Sequence, residues 1–257
     1  MQFNSRRMMR TAGAMAILVA TLFATMVAPV FGQRSDYKPP TGPVPRTANG
    51  KPDLSGVWDR PYVPDMTKTT PNQKGTPELP FTAWGLQEWK SYDAGEGDYT
   101  GACLPSGLIR GVNSPMPMQI MQSPTYVTLM FEFDNWFHII PIDGRNHREQ
   151  IATWAGDSTG RWDGDTLVID TVNFNGKTKL DTIGHPHSDQ LHLTQRYTRT
   201  DLGHIALEVV VDDPKTYTKP WSNTRTFTLR PDWELMEYSC MENNKSLWEG
   251  RVKPPKF

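Results

Sequence analysis

In this chain of 257 residues, three histidines crowd together at positions 185, 187 and 192, the first place where side-chain types and spacing suggest chemistry. His185-Pro186-His187 followed by His192 has the look of metal-ligand spacing. Pro186 denies the pair a regular strand placement, and no fourth ligand is dictated, although His147 and Asp189 are of the right type. The expectation is therefore no metal and no other cofactor, with His187 in a loop at a barrel mouth as a general acid or base. An imidazole that titrates near about pH 6.5 suits proton transfer when a carboxylate orients it.

Carboxylates interrupt two apolar runs. Glu132 falls in Tyr126 to Phe133 and Asp170 in Thr166 to Phe174. A charge in mid-strand is costly unless it meets water, a counterion or a polar cavity. Arg196 and Glu208 sit in the same way in later runs. If these positions face inward, Glu132, His187, Arg196 and His147 make a cofactor-independent acid–base set. The histidines would move protons, Glu132 would orient or share them, and Arg196 would steady negative charge. Asp170, Glu208, Trp136 and Trp221 would bind the substrate, since aromatic faces suit sugars and aromatic ligands. The turn Asp143-Gly144-Arg145 brings His147 to a mouth. No phosphate loop, dinucleotide fingerprint or His-Glu-x-x-His occurs, which removes nucleotide and hydride-transfer chemistry.

The elements that must position these groups read as strands. After Pro117 come Tyr126 to Phe133, Trp136 to Ile142, Thr166 to Phe174, Leu191 to Thr200, Ile205 to Asp212, Thr224 to Arg230 and Leu235 to Cys240, punctuated by short turns. Gly56 to Arg60 and Met118 to Gln122 bring the count to about nine. The expected fold is all-β, an antiparallel meander closing into a lipocalin-like β-barrel, because closure removes exposed edges. Phe81 to Tyr92, with Thr82 as N-cap, is one short helix before it. Ile205, Leu207, Val209 and Val211 share one strand face, and the opposite face carries ionisable groups. Alternation alone does not say whether that second face meets solvent or a polar-dotted cavity.

The ends set the compartment. Arg6, Arg7 and Arg10 precede a charge-free apolar stretch from Ala12 to Val30, with small residues before a cleavage point at Gly32. Residues 1–32 therefore read as a signal peptide, with Arg6-Arg7 a weak hint of twin-arginine export. Residues 33–52 read as a Pro-rich extended leader and 53–257 as a single barrel domain. The mature protein is expected in the periplasm or outside the cell, with no membrane span. Basic and acidic side chains number 27 and 28, three of the basic ones lying in the signal, so no stripe exists to neutralise phosphates and nucleic acid is an unexpected partner. Cys103 and Cys240 are the two cysteines, and in an oxidising compartment they are expected to pair.

Two resemblances add to this. Gly56-Val57-Trp58 is similar to the Gly-x-Trp start of the lipocalins. More of the chain, through Pro45-Arg46-Thr47-Ala48-Asn49-Gly50-Lys51-Pro52-Asp53-Leu54-Ser55-Gly56-Val57-Trp58, Gly160-Arg161-Trp162-Asp163-Gly164-Asp165-Thr166-Leu167-Val168, Pro186-His187-Ser188 and Asp213 to Trp221 (DPKTYTKPW), resembles an uncharacterised family of exported bacterial proteins. That resemblance implies export and a β fold, and assigns no catalytic residue. The functional expectation is an exported lyase or isomerase acting on a small aromatic or carbohydrate-derived molecule. The alternative is a non-catalytic lipocalin-like carrier.

Overall fold

The computed structural model describes residues 37–93, 98–149, 151–242 and 244–252. The chain divides into two units, 1–38 and 39–257, and the second holds the fold. The proposed signal, residues 1–32, lies outside the described residues. No described helix is long and apolar enough to cross a membrane.

Nine strands form one antiparallel path. In chain order they are Gly56–Asp59 (β1), Met118–Gln122 (β3), Tyr126–Phe131 (β4), Trp136–Pro141 (β5), Asp157–Asp163 (β6), Thr166–Val172 (β7), His192–Arg199 (β8), His204–Asp212 (β9) and Trp221–Leu229 (β10). A two-residue strand, Gln73–Lys74 (β2), pairs with β10 off the path. The order is β5-β4-β3-β1-β10-β9-β8-β7-β6, so the sheet curls until its two ends meet. No backbone ladder joins β5 to β6. Side chains close the gap instead: His138 of β5 and Ser158 of β6 share a 2.7 Å hydrogen bond, and Ser158 reaches Thr171 of β7 at 2.6 Å. Gly160 allows that approach, because a Cβ there would lie 2.7 Å from Ile142 Cγ2. The barrel is thus nearly closed.

Alternation decides what lies inside. Val127, Leu129 and Phe131 of β4, Leu193 and Tyr197 of β8, and Ile205, Leu207, Val209 and Val211 of β9 are buried on one face, and this is the core. The other face is the outside. Asp170, Arg196 and Glu208 stand on it, so an inward placement of these groups is corrected. The physical reason is that the aliphatic phase of each strand carries far more area to hide from water.

Three further points of the sequence reading change. Leu235 to Cys240 is not a strand, since only loop backbone occurs there. Asp157–Asp163 is one, although its inward residues, Ser158, Gly160 and Trp162, lack an aliphatic signature. The helix forms as Ala83–Ser91 (α1), capped where Thr82 Oγ1 accepts from Gly85 N at 3.0 Å, but it follows β1 and β2 rather than preceding the barrel. Leu108–Val112 (α2) and Lys245–Trp248 (α3) add two short turns of helix. Cys103 and Cys240 are bonded, with Cα atoms 5.6 Å apart, across 137 residues. The bond ties the segment before α2 to the loop after the last strand.

Candidate functional site

Glu132 stands one residue past β4, in helical backbone that starts the turn to β5, so it has left the strand's alternation. Its Oε2 accepts from Met236 N at 2.9 Å and holds the C-terminal loop against that turn. His187 is buried. Its Nδ1 donates to Ser188 O at 2.9 Å, which leaves Nε2 to accept from the Thr178 hydroxyl at 2.6 Å. Burial holds this imidazole below its ordinary pKa. Arg196 is on the outer face, donating to Asp163 at 2.9 Å. The structure does not bring these three together: each has its own partners on a different element.

The other histidines separate likewise. His185 Nδ1 donates to Asp181 at 2.6 Å, its ring tilted against Trp89 and Phe81. Asp65, Asp181 and His185 place potential ligand atoms within 4.8 Å of one another. Their oxygens already accept from Thr67 N, Met66 N and His185 N, so local hydrogen bonding accounts for this cluster. His192 lies apart on the outer face with its Nε2 on Asp170 at 2.6 Å. His147 and Asp170 do meet. Asp157, His147, Asp170 and His192 form one outer chain, His147 reaching Asp157 at 3.1 Å and Asp170 at 2.8 Å. Burial acts to raise the Asp170 pKa, but hydrogen bonds from His192 and His147 outweigh it and hold the carboxyl below its usual range.

Trp136 and Trp221 do point inward. Trp136 stacks on Phe131 at 5.6 Å, and Trp221 meets Tyr217 edge-on at 5.3 Å with no hydrogen-bond partner for its Nε1. Glu208 is half-buried on the outer face of β9. Trp84 lies under the Lys215 ammonium, 4.8 Å from the ring centre.

What sequence reasoning missed is inside the barrel. β10 sends Trp221, Asn223, Arg225 and Phe227 inward, and the register pairs Arg225 with Leu207 and Leu207 with Tyr197. Arg60 continues the inward phase of Trp58 just beyond β1. Arg225 is 2 % exposed and Arg60 3 %, and among the described residues neither has a carboxylate within 4 Å. Arg60 spends Nη1 on Gly111 O at 2.8 Å and Nη2 on Ser114 Oγ at 3.1 Å and Met116 O at 2.5 Å. Arg225 donates Nη1 to Asn113 Oδ1. Nε of Arg60, Nε and Nη2 of Arg225, Gln195 Oε1 and Asn223 Oδ1 are buried without a partner. Burial lowers the pKa of Arg60 to about 9 and that of Arg225 to about 10. Burial raises Tyr197, which accepts from Gln195 Nε2 at 3.1 Å, so the phenol stays neutral and cannot serve as counterion. The phase of Arg225 with Trp221 and Phe227 is the signal that finds it. Starting the strand at Thr224 hides that phase.

Asn113 and Ser114, the acceptors for Arg225 and Arg60, also line an open cavity of about 470 Å³ with Tyr62, Arg110, Met116 and Phe133. The interior arginines therefore lie one residue behind the wall of a cavity large enough for a small molecule.

The motifs that carry the family resemblance turn out to dock on one another. Arg46 grips Asp165 with two hydrogen bonds of 2.9 and 2.6 Å, and Lys51 donates to Gly164 O at 3.2 Å. Asp213 accepts from Ser188 N and Oγ, and the Tyr217 hydroxyl donates to Pro186 O at 2.8 Å. These are architectural contacts between segments far apart in sequence. No family model matches this chain, and no curated protein matches it.

Proposed function

We propose that the protein is an exported small-molecule binding protein, a carrier of lipocalin type that holds its ligand without turning it over. One observation carries this: two buried guanidiniums without a carboxylate at ion-pair distance sit inside a nearly closed barrel, directly behind the wall of an open cavity. Burying charge without a partner costs stability, and unsatisfied buried donors cost more. Such an arrangement fits a chain that holds those groups ready for something else. The disulfide and the apolar N-terminal stretch support export.

Acid–base turnover, by a lyase or isomerase, has one observation on its side. The outer chain Asp157–His147–Asp170–His192 alternates carboxylates and imidazoles within hydrogen-bonding distance. It lies on the solvent face rather than at the cavity, which is why the carrier reading leads.

Native mass spectrometry of the mature protein with a panel of small organic molecules tests both. The expected result is a saturable one-to-one complex whose ligand is recovered unchanged after long incubation. A ligand consumed during incubation would put the lyase or isomerase reading in its place. No complex with any member of the panel would sink the carrier reading.

A further inference from the structure

We infer that the barrel interior is built to seat the carboxylate of a small organic acid, held by the Nε–Nη2 edge of Arg225 with Arg60 as the second cation. The inference rests on the ligand-binding reading and names its ligand class.

The donor geometry is specific. Of the three nitrogens of the Arg225 guanidinium, Nη1 is committed to Asn113. Nε and Nη2, the two without a partner, form one edge, with N–H bonds that run parallel in the guanidinium plane. That edge matches the two oxygens of a carboxylate, and the pair makes two parallel charge-assisted hydrogen bonds. Arg60 is fixed by three protein acceptors, and Nε is the nitrogen left without a partner. It supplies charge from a rigid position, where Arg225 supplies the fork.

The charge balance points the same way. Arg60 feels Arg225 as a like charge, with smaller pulls from Asp59 and Glu132, and Arg225 feels Asp181. None of these carboxylates is within 4 Å, and the nearer polar company, Tyr197, Gln195, Asn223 and Asn113, is uncharged, while Asp98 on the cavity wall is paired with Arg110. Two buried cations with no carboxylate at ion-pair distance can accept an anion as a direct partner. The rest of the acid has two kinds of surface available. Leu207 and Phe227 flank Arg225 within the barrel, and Tyr62, Met116 and Phe133 line the cavity beyond Asn113 and Ser114.

The test uses the full mature chain, melted with benzoate, hexanoate, benzamide or inorganic phosphate at matched ionic strength, and repeated with Arg225→Met and Arg225→Lys. A saturable rise in Tm with benzoate or hexanoate, and none with benzamide, is expected. Arg225→Lys should weaken the carboxylate at least about tenfold, because an ammonium offers a point charge in place of a planar fork. Arg225→Met should lose the shift, yet melt at or above the wild-type temperature without ligand, since it removes a buried cation that has no ionic partner. Benzamide acting as strongly as benzoate, with both shifts surviving in Arg225→Met, would overturn the anion assignment and leave ligand binding standing. A shift with phosphate alone would overturn the carboxylate class. Should no compound shift the wild-type protein, or should Arg225→Met melt several degrees lower in their absence, Arg225 is a structural residue and the inference fails.

Discussion

Asp213 offers a sharp test of how the loops around the barrel are held. It is buried, and its carboxylate accepts from five donors. Oδ2 takes Ser188 N at 2.6 Å and Thr216 Oγ1 at 2.8 Å; Oδ1 takes Ser188 Oγ at 2.7 Å and the amides of Lys215 and Thr216 at 3.2 Å. Asp213→Asn keeps the shape and removes both the charge and one acceptor. Whichever way the new amide turns, its NH2 meets a backbone N–H. Placed at Oδ2, it orphans the buried amide of Ser188; placed at Oδ1, it orphans that of Lys215 and leaves Thr216 N only the backbone carbonyl of Asp213 at 3.0 Å. An unsatisfied buried donor costs about 1–3 kcal/mol, and the surviving bonds lose their charge assistance, so the loss should be about 3–5 kcal/mol. For a domain of this size that is a fall in Tm of about 10 °C. Urea unfolding followed by circular dichroism should show a lower midpoint with an unchanged slope. Ser188→Ala, which removes only the hydroxyl donor, should cost about 1 kcal/mol. A variant Asp213→Asn within 1 kcal/mol of wild type would refute the reasoning, and so would a Ser188→Ala loss of the same size.

Replacing Cys103 and Cys240 by Ala should cost about 5 kcal/mol in the same assay, the chain-entropy value for a loop closed across 137 residues; a loss under about 1 kcal/mol would show that the unfolded chain gains little freedom. His138 is buried at the β5–β6 gap, and burial lowers its pKa from 6.5 to about 4, against a weaker upward pull from Asp157. The unfolded chain therefore takes up a proton below about pH 6.5 while the folded one does so only near pH 4. This contribution is intact above pH 6.5, declines as pH falls to 4, and amounts to about 3 kcal/mol in all. His138→Gln should flatten that part of the stability profile, and an unchanged slope between pH 6.5 and 4 would count against a neutral buried imidazole.

The strands were legible wherever aliphatic residues alternate, as in Ile205, Leu207, Val209 and Val211. The disulfide was legible because only two cysteines exist. The strand Asp157–Asp163 was not, because its inward positions are filled by Ser158, Gly160 and Trp162, chosen for the close approach of β5. The candidate site was misjudged for a related reason. Mid-strand carboxylates attract notice in a sequence, but Asp170 and Glu208 stand on the outer face, Asp170 bonded there to His147 and His192. The interior arginines attract little, because Arg225 sits among threonines and Arg60 follows β1 by one residue. Their meaning depends on register across β1, β10, β9 and β8, which no local pattern contains. Glu132 looked like a strand residue because a turn can begin without glycine or proline.

The side-chain closure between β5 and β6 has a consequence for how the molecule avoids its own kind. Two strand edges, each with backbone groups able to recruit another chain, are kept apart from solvent by facing one another across Gly160. They never form the ladder that would make the barrel permanent. A wedge there, such as Gly160→Val, would place a side chain where Ile142 and Ile140 now sit. It would part the edges and leave two open templates for β addition. The expected outcome is growth of oligomers with concentration in light scattering, ahead of any loss of the barrel's circular dichroism. On this view a single hydrogen atom in place of a side chain is what lets the two edges shield one another.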